Sequence, residues 1–283
     1  MMLIADSGST KTNWCLLNDK GEKNFFDTEG YNPYFVNTDY IVQSLREQWP
    51  ANPDSSAVSQ VYFYGAGCFE DKAGIVSEAM RILFPGAVVQ VGLDLLASAR
   101  AVLGNQPGFV AILGTGTNSC LYDGAAIVAN IDSLGYLLGD EGSGFYLGRQ
   151  LLSDYIRGAM PPDVQQEFID RYHYTREAIM DRVYTEKLPN RFCAGFTPFL
   201  LEGHSGPDYK KDLVRNAFRD FFERIVVRYE RVDGYTFNCV GSIGYAFRET
   251  LQEVAGFYGM PTGVILKAPI VSLADYHVRH PLH

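Results

Sequence analysis

The sequence predicts an α/β protein built from two similar units, each with a mixed β-sheet flanked by helices. The chain begins with a β-hairpin and continues in a β–α–β–α order, which is typical of a mixed sheet with helices on its faces. Residues 12–16 and 117–121 agree at four of five positions, each directly after a turn rich in Gly, Ser and Thr. Because such a repeat indicates duplication, and residues 104–108 form a Gly/Pro-containing linker, we divide the chain into domains 1–106 and 107–283.

The elements of the first half follow from their apolar patterns. Ile41, Leu45 and Trp49 recur four residues apart, which predicts one face of a helix, and Pro50 ends it. Short apolar runs bounded by turn residues predict strands. The predicted strands are residues 2–5, 14–17, 23–28, 61–64 and 87–92, and the predicted helices are residues 40–49, 72–84 and 95–103.

The second half repeats the hairpin and then becomes more helical. Its amphipathic segments have the spacing of helices that bury one face. The predicted strands are residues 109–113, 119–122, 236–240 and 264–267, and residues 126–131 continue the chain after the hairpin without an assigned structure. The predicted helices are residues 144–157, 161–172, 176–184, 208–231 and 272–279, together with one that follows the turn at residues 241–244.

Composition excludes several classes of protein. The net charge of −9 argues against nucleic-acid binding, which needs clustered Lys and Arg. The five cysteines are scattered without C-x-x-C spacing, so we expect small core side chains in a reducing compartment and no zinc site. No apolar run has the roughly 20 residues of a membrane span, so we expect a cytoplasmic protein. His277, His280 and His283 lie near the C-terminus, where chain ends commonly fray, so we expect no functional metal site there.

The segment between the first two strands, residues 6–12, is the first candidate site. Its sequence is Asp-Ser-Gly-Ser-Thr-Lys-Thr. Small residues leave backbone N–H groups uncovered, and such groups bind anions, so Ser9, Thr10 and Lys11 are candidate phosphate ligands. Asp6 supplies the hard oxygen ligand that suits Mg²⁺. The alternative is an ordinary surface turn, in which Gly, Ser and Asp are all common.

Two further turns complete a possible nucleotide site. Gly114, Thr115 and Gly116 form a glycine-rich turn in the second half. Two phosphate-binding turns predict a nucleotide in a cleft between the domains, a favoured place for ligands. A third turn, at Gly241 and Ser242, would bring backbone close to a purine and its ribose, although tight strand–helix packing explains the same residues equally well. Since neither a Walker A motif nor a G-x-G-x-x-G fingerprint occurs in its required context, the site belongs to another class.

Asp94 is the candidate general base. Phosphoryl transfer to a hydroxyl needs phosphate ligands, Mg²⁺ and a group that accepts the hydroxyl proton. Asp94 lies at the exit of a predicted buried strand, where its carboxylate would face such a site. Aspartate is also favoured at helix N-termini, so capping is the alternative.

Asp140 and Glu141 lie in the sequence Gly-Asp-Glu-Gly-Ser-Gly, residues 139–144. Two adjacent acids flanked by glycines predict an acidic loop at the start of a helix. Its functional interpretation is hydrogen bonding to sugar hydroxyls or to metal-bound water. Its alternative is capping of the helix with a favourable charge–dipole interaction.

Four segments together resemble the BadF/BadG/BcrA/BcrD-type ATPase family, and within it the N-acetylglucosamine kinase branch. They are residues 6–12, 114–118, 139–144 and 240–242; they follow the family's order over nearly the whole chain, and residues 139–144 are the most specific. The resemblance implies the actin/hexokinase/heat-shock-chaperone ATPase fold, with two ribonuclease H-like domains and Mg²⁺–ATP in the cleft between them. It also implies phosphorylation of an amino sugar, N-acetylglucosamine at its 6-hydroxyl.

The resemblance implies roles at the nucleotide for individual residues. Asp6 would serve the Mg²⁺, and Thr10 and Thr115 would lie at the phosphates. Gly241 and Ala246 would lie at the adenosine.

The same resemblance implies an acceptor site. Asp94 would take the proton from the 6-hydroxyl, and the amino sugar would be held by Asn32, Asp140 and the backbone around Gly135. The family's usual Gly-Trp-Gly is replaced here by residues 133–135, Ser-Leu-Gly, so we expect an altered sugar pocket.

Three functions remain open at this point. The first is an ATP-dependent amino-sugar kinase that works by domain closure, with a small-molecule sugar as its partner. The second is an ATPase of the same family that drives a partner protein, and the third is a non-catalytic nucleotide or sugar sensor. The cluster-binding cysteines of the family's radical-enzyme activators are missing, and an intact Asp94 favours the kinase over the sensor. The sequence leaves the quaternary state open, with a homodimer as one option.

Overall fold

Two sheets form the framework of the protein in the computed structural model, which describes residues 1–50, 54–69 and 71–280. Each sheet has five strands among these residues. The strands are β1 (Met2–Ser7), β2 (Lys11–Leu17), β3 (Lys23–Glu29), β4 (Gln60–Gly65), β5 (Val88–Leu93), β6 (Gly108–Leu113), β7 (Thr117–Tyr122), β8 (Ile127–Ala129), β9 (Phe237–Val240) and β10 (Thr262–Leu266).

Helices follow the strands and are more numerous in the second half. They are α1 (Thr38–Gln48), α2 (Ala73–Leu83), α3 (Asp94–Leu103), α4 (Gly135–Leu138), α5 (Gly144–Arg157), α6 (Pro162–Tyr172), α7 (Arg176–Thr185), α8 (Pro189–Ala194), α9 (Pro198–Leu201), α10 (Pro207–Arg224), α11 (Ser242–Ala246), α12 (Arg248–Phe257) and α13 (Ile270–Arg279). Short 3₁₀ turns occur at Ser55–Ala57, Val226–Arg228 and Val232–Gly234.

The two sheets have the same topology. The strand order is β3-β2-β1-β4-β5 in the first sheet and β8-β7-β6-β9-β10 in the second. In each sheet the first three strands along the chain pair antiparallel, and the last two join in parallel. The predicted duplication is therefore confirmed at the level of strand order and direction.

The chain divides into two compact units. Unit 1 comprises Met1–Pro107, Asp123–Ala126 and Ala268–His283, and unit 2 comprises Gly108–Tyr122 and Ile127–Lys267. The structure differs here from the predicted division, which assigns all of 107–283 to the second domain. The reason is α13, whose apolar residues are buried in unit 1 with side chains of β1 and β2.

Alternation along β1 divides the core of unit 1 between the two faces of its sheet. Leu3 and Ala5 pack on one face in a cluster that includes α1 and α2. Ile4 packs on the other face with α3 and α13. Because side chains two residues apart share a face, Asp6 lies on the same face as Ile4, which is the face that α3 covers.

Unit 2 has a single large core. Phe109, Ala111 and Leu113 of β6 belong to it, together with the aromatic face of α10. The helix α10 ends at Arg224, although the sequence predicts a helix to residue 231. A β-branched run from Ile225 begins there, and the buried Val226 enters a 3₁₀ turn.

Two further expectations concern the whole chain. Of the described helices, none combines the length and hydropathy of a membrane span. All five cysteines are free and buried, which confirms that they are small core side chains.

Candidate functional site

The first hairpin turn is closed by its own backbone. Ser7 and Thr12 are opposite each other in the β1–β2 register, and the Gly8 N–H donates to the Lys11 carbonyl at 2.9 Å. The Gly8 amide is therefore used inside the turn. The Lys11 ammonium forms an ion pair with Asp27 at 2.7 Å, with both side chains about half exposed. A phosphate at Lys11 would share the ammonium with Asp27 or compete with it.

The loop that contains Asn32 lies against this hairpin. The Gly30 N–H donates to the Thr10 carbonyl at 3.1 Å, and a side chain at Gly30 would place its Cβ 2.3 Å from the Gly8 carbonyl oxygen. Asn32 Oδ1 accepts the Tyr34 N–H at 3.0 Å, which shapes the loop. The structure thus brings two predicted regions of unit 1 together, the first hairpin with Ser9 and Thr10 and the loop with Asn32.

Asp6 and Asp94 are close enough to interact electrostatically. Burial, together with the charge of Asp94, raises the pKa of Asp6 to about 7, although a hydrogen bond from Asn13 opposes the shift. Burial likewise raises the pKa of Asp94 to about 6. Asp94 is the first residue of α3 and accepts the Leu95 N–H at 2.9 Å. Both interpretations of Asp94 stay open, since its carboxylate accepts an N–H of the helix N-terminus and its charge acts on Asp6.

The carboxylate of Asp6 fits a Mg²⁺ site. Mg²⁺ commonly uses one or two protein carboxylates and completes its shell with water and substrate phosphate. A cation beside Asp6 and Asp94 would offset their mutual repulsion. Among the described residues no group of three or more His, Cys, Asp and Glu side chains is arranged around a metal position.

The second hairpin is joined to the start of α5. The Gly114 carbonyl accepts the Gly144 N–H at 2.8 Å, and the Thr115 carbonyl accepts the Phe145 N–H at 3.0 Å. The first turn of a helix has N–H groups without partners inside the helix, and the hairpin satisfies two of them. Ser143 caps the helix by accepting the Tyr146 N–H at 3.1 Å.

Asp140 is a buried acid with an unusual backbone conformation. It is 7% exposed, and its φ of 57° lies in the left-handed region that non-glycine residues rarely adopt. Burial, together with the charge of Glu141, raises its pKa to about 6, although the Thr117 N–H opposes the shift. The helix cap is Ser143, so the alternative in which Asp140 and Glu141 cap α5 is wrong.

Glu141 is also buried, at 6% exposure. Its carboxylate lies 3.6 Å from the guanidinium of Arg224 on α10. The acidic loop is therefore held by the second hairpin on one side and by α10 on the other.

The remaining predicted residues of unit 2 differ in how tightly they are packed. Gly241 has a φ of 132°, and a Cβ there would lie 2.3 Å from the Leu113 carbonyl oxygen. Close packing alone thus explains this glycine, and the adenosine roles of Gly241, Ser242 and Ala246 stay predictions. Gly135 begins α4 with a φ of 65°, and a Cβ there would meet no atom within 4 Å.

Sequence reasoning missed a buried polar cluster in unit 1. The Tyr64 hydroxyl and His277 Nε2 are 2.9 Å apart, and the His277 ring lies 3.7 Å from that of Tyr62. Burial lowers the pKa of His277 to about 3. The signal was the helical spacing of Ile270, Leu273 and His277, which places the histidine on the apolar face of α13. His283 lies outside the described residues.

A cavity of about 240 Å³ lies in unit 2, between α5 and α10. At its wall the Tyr146 hydroxyl donates to Asp220 at 2.6 Å, and the Tyr209 hydroxyl donates to Asp154 at 2.8 Å. None of its lining residues is one of the predicted site residues.

Comparison with solved structures identifies relatives of the whole chain. The chain is 40% identical to a Porphyromonas gingivalis protein provisionally named an N-acetylglucosamine kinase, with 100% of each chain covered and a TM-score of 0.94. A Chromobacterium violaceum protein with the same provisional name is 19% identical, with 97% of this chain and 98% of that chain covered and a TM-score of 0.73.

A Streptomyces griseus glucokinase of the ROK family, solved with glucose and AMPPNP, is 12% identical, with 97% and 98% covered and a TM-score of 0.55. At such low identity the last two comparisons show the fold alone. No protein-family model matches the sequence.

The fold is therefore the duplicated ribonuclease H-like fold that sugar kinases and actin-like ATPases share. The full-length similarity to the P. gingivalis protein then identifies the family. This chain belongs to the BadF/BadG/BcrA/BcrD-type ATPase family, in the group of the N-acetylglucosamine kinases.

Proposed function

We propose that this protein transfers the γ-phosphoryl group of ATP to the 6-hydroxyl of an amino sugar, with N-acetylglucosamine as the preferred acceptor. The observation that supports it most is the 40% identity to the P. gingivalis protein over the full length of both chains. The two interacting carboxylates, Asp6 and Asp94, also support it, because phosphoryl transfer needs a metal ligand and a base.

Asp94 is the general base of this proposal. Burial raises its pKa to about 6, so the carboxylate is mostly ionised at neutral pH and still more basic than an exposed aspartate. A base whose pKa lies near the working pH is the most effective. Asp94 accepts the proton of the 6-hydroxyl while the sugar oxygen bonds to the γ-phosphorus, and the bond from that phosphorus to the bridging oxygen breaks to release ADP.

Asp6 holds the magnesium ion of the Mg²⁺–ATP substrate, directly or through water. When bound, the ion neutralises charge on the phosphate oxygens. Asn13 orients Asp6, since it donates a hydrogen bond to that carboxylate. Ser9, Thr10, Lys11 and the turn at residues 114–116 are the proposed phosphate ligands.

Gly241, Ser242 and Ala246 are the proposed neighbours of the adenosine. We propose the cytoplasm as the location, because ATP is the proposed substrate and all five cysteines are free thiols.

The acceptor is held by Asn32, Asp140 and the backbone around Gly135. A carboxylate fixed in a buried loop discriminates strongly between acceptors with and without a matching hydroxyl, because an unmatched buried acid stays unpaired. The Ser-Leu-Gly sequence at residues 133–135 alters the pocket that the family usually forms with Gly-Trp-Gly.

A coupled assay of ADP release over hexoses, hexosamines and N-acetylhexosamines tests the proposal. We expect ADP release that depends on an amino sugar and is fastest with N-acetylglucosamine. ADP release at the same rate without any sugar would instead support an ATPase that drives a partner protein. Nucleotide binding without ADP release for any sugar would support a sensor.

A further inference from the structure

Two hydrogen bonds from one residue join the second hairpin to the acidic loop. The Thr117 N–H donates to Asp140 Oδ1 at 2.9 Å, and the Thr117 hydroxyl donates to the Glu141 carbonyl at 2.7 Å. Thr117 is itself 6% exposed. Because these groups are buried, losing one partner leaves the other unsatisfied, which costs more than the bond's net contribution.

The loop lies so close to the hairpin that little else fits between them. A Cβ at Gly116 would lie 3.0 Å from Asp140 Oδ2. The direct contacts therefore fix the distance between the turn proposed to bind phosphate and the carboxylate proposed to bind the sugar.

The backbone of Asp140 needs such external support. Its left-handed φ of 57° is a conformation that persists only where surrounding contacts hold it. The Asp140 N–H donates to the Ser133 carbonyl at 3.0 Å. On the side of β7, the Thr117 hydroxyl donates to the carbonyl of the next residue, Glu141. Without that hydroxyl the acidic loop loses a buried hydrogen bond at Glu141, directly beside Asp140.

The equivalent threonine of unit 1 does something different. Thr12, opposite Ser7 in its hairpin, shares a hydrogen bond of 2.7 Å with the Ser7 hydroxyl and donates to the Glu29 carbonyl at 2.8 Å. This hydroxyl, like that of Thr117, donates to the backbone carbonyl of a glutamate, but Glu29 lies on the neighbouring strand β3 and not on an acidic loop. The contact from Thr117 to an acidic loop is thus specific to unit 2 and not a general property of the repeat.

We propose that Thr117 is a positioning residue for the acceptor, which fixes Asp140 relative to the second phosphate hairpin. This inference rests on the proposed function, since it assigns the acceptor to Asp140. It also implies that nucleotide and sugar binding are coupled. A phosphate that orders the second hairpin would order Asp140 through Thr117, and a sugar bound to Asp140 would order the hairpin in the same way.

Three variants test it. Thr117→Val removes the hydroxyl at nearly constant shape, and Thr117→Ser restores the hydroxyl without the methyl group. Ser119→Ala is the matched control, because Ser119 lies on the same strand, is fully buried and loses a 2.9 Å hydroxyl contact with Tyr229 without touching the acidic loop. Thr117→Ala replaces the valine variant if that variant does not fold.

We expect Thr117→Val to raise the KM for the acceptor about tenfold, with the KM for ATP and kcat changing less than about twofold. Thr117→Ser should return the acceptor KM toward the wild-type value, and Ser119→Ala should leave it unchanged. An acceptor KM equally altered by Ser119→Ala, or not restored by serine, would overturn the positioning role.

Hydrogen exchange separates this inference from the proposed function. In the Thr117→Val variant, the amides of residues 140–145 should exchange faster than in Ser119→Ala. If the wild type phosphorylates no amino sugar, the proposed function fails and the positioning of an acceptor fails with it. If the wild type is active but exchange of these amides is the same in both variants, the positioning role alone is wrong.

Discussion

The two sheets match strand for strand, yet they differ at the positions where strands end. In unit 1 the register pairs Asp6 with Asn13, whereas in unit 2 the corresponding pair is Ile112 and Asn118. The asparagine is the same in both, and the carboxylate is replaced by an aliphatic side chain.

A second pair of positions differs in the same way. The residue after β5 is Asp94, and the residue after the equivalent strand β10 is Lys267. Duplication therefore supplied the same scaffold twice, while the paired carboxylates occur at these positions of unit 1 alone. Unit 2 has its acid, Asp140, on a loop that the repeat does not contain, and Thr117 attaches this loop to the hairpin.

The largest effect is expected for Asp94→Asn, which keeps the shape of the side chain and removes the base. We expect kcat to fall by about 10² to 10⁴-fold, with the KM for the acceptor changing little. The rate of sugar-dependent ADP release measures this. The control is Asp163→Asn, an exposed acid in the first turn of α6. A kcat within twofold of wild type for Asp94→Asn would remove Asp94 from the chemistry.

The next effect concerns Asp6 and its counterpart Ile112. Asp6→Asn should raise the KM for Mg²⁺–ATP about 10–100-fold, because the proposed metal ligand is lost. Adding Ile112→Asp should not restore activity, since the second sheet has Lys267 where the first has Asp94. Steady-state kinetics over a range of Mg²⁺ concentrations measure both variants. Recovery in the double variant would mean that the two hairpins are interchangeable.

A smaller effect is expected on folding at the turn after β9. Gly241→Ala places a Cβ against the Leu113 carbonyl and strains a positive φ, so we expect a loss of about 2–4 kcal/mol in the free energy of unfolding. Gly256→Ala is the control within α12, where a Cβ meets no atom within 4 Å, and should stabilise by about 0.5–1 kcal/mol. Urea denaturation distinguishes them, and equal stabilities would contradict the packing around Gly241.

The smallest effect, taken per pH unit, is the pH dependence of stability that His277 causes. Burial, with the charges of Arg100 and His280, lowers its pKa from 6.5 to about 3. Between these values the unfolded chain binds a proton that the folded protein does not, so stability falls as the pH falls, by at most about 1.4 kcal/mol per pH unit. His277→Gln should make this loss shallower, whereas the exposed control His204→Gln should not. Denaturation at several pH values between 4 and 7 gives both slopes, and parallel slopes would contradict the assignment.

Much of the fold was predictable because its elements are local. The strands that flank each hairpin, and the helix from residue 144 to 157, follow from apolar runs and turn residues that lie side by side in the sequence. The repeat at residues 12–16 and 117–121 predicted the duplication, which the identical strand orders confirm.

What the sequence did not predict depends on contacts between distant segments. The return of α13 to unit 1 and the burial of His277 against Tyr64 join residues more than 200 positions apart. The capping interpretation of Asp140 failed for a subtler reason, since Ser143 lies three residues further on and takes that role. The roles of the predicted site residues remain proposals that the variants above test.

The central claim, phosphorylation of the 6-hydroxyl of an amino sugar with Asp94 as base, is tested most directly by the product. Phosphorus and proton nuclear magnetic resonance of a reaction with N-acetylglucosamine, ATP and Mg²⁺ identifies the carbon that bears the phosphate. We predict one new phosphomonoester coupled to the protons on carbon 6, formed in equal amount to ADP, and formed about 10² to 10⁴-fold more slowly with Asp94→Asn. Inorganic phosphate as the sole product accompanying ADP would contradict the account.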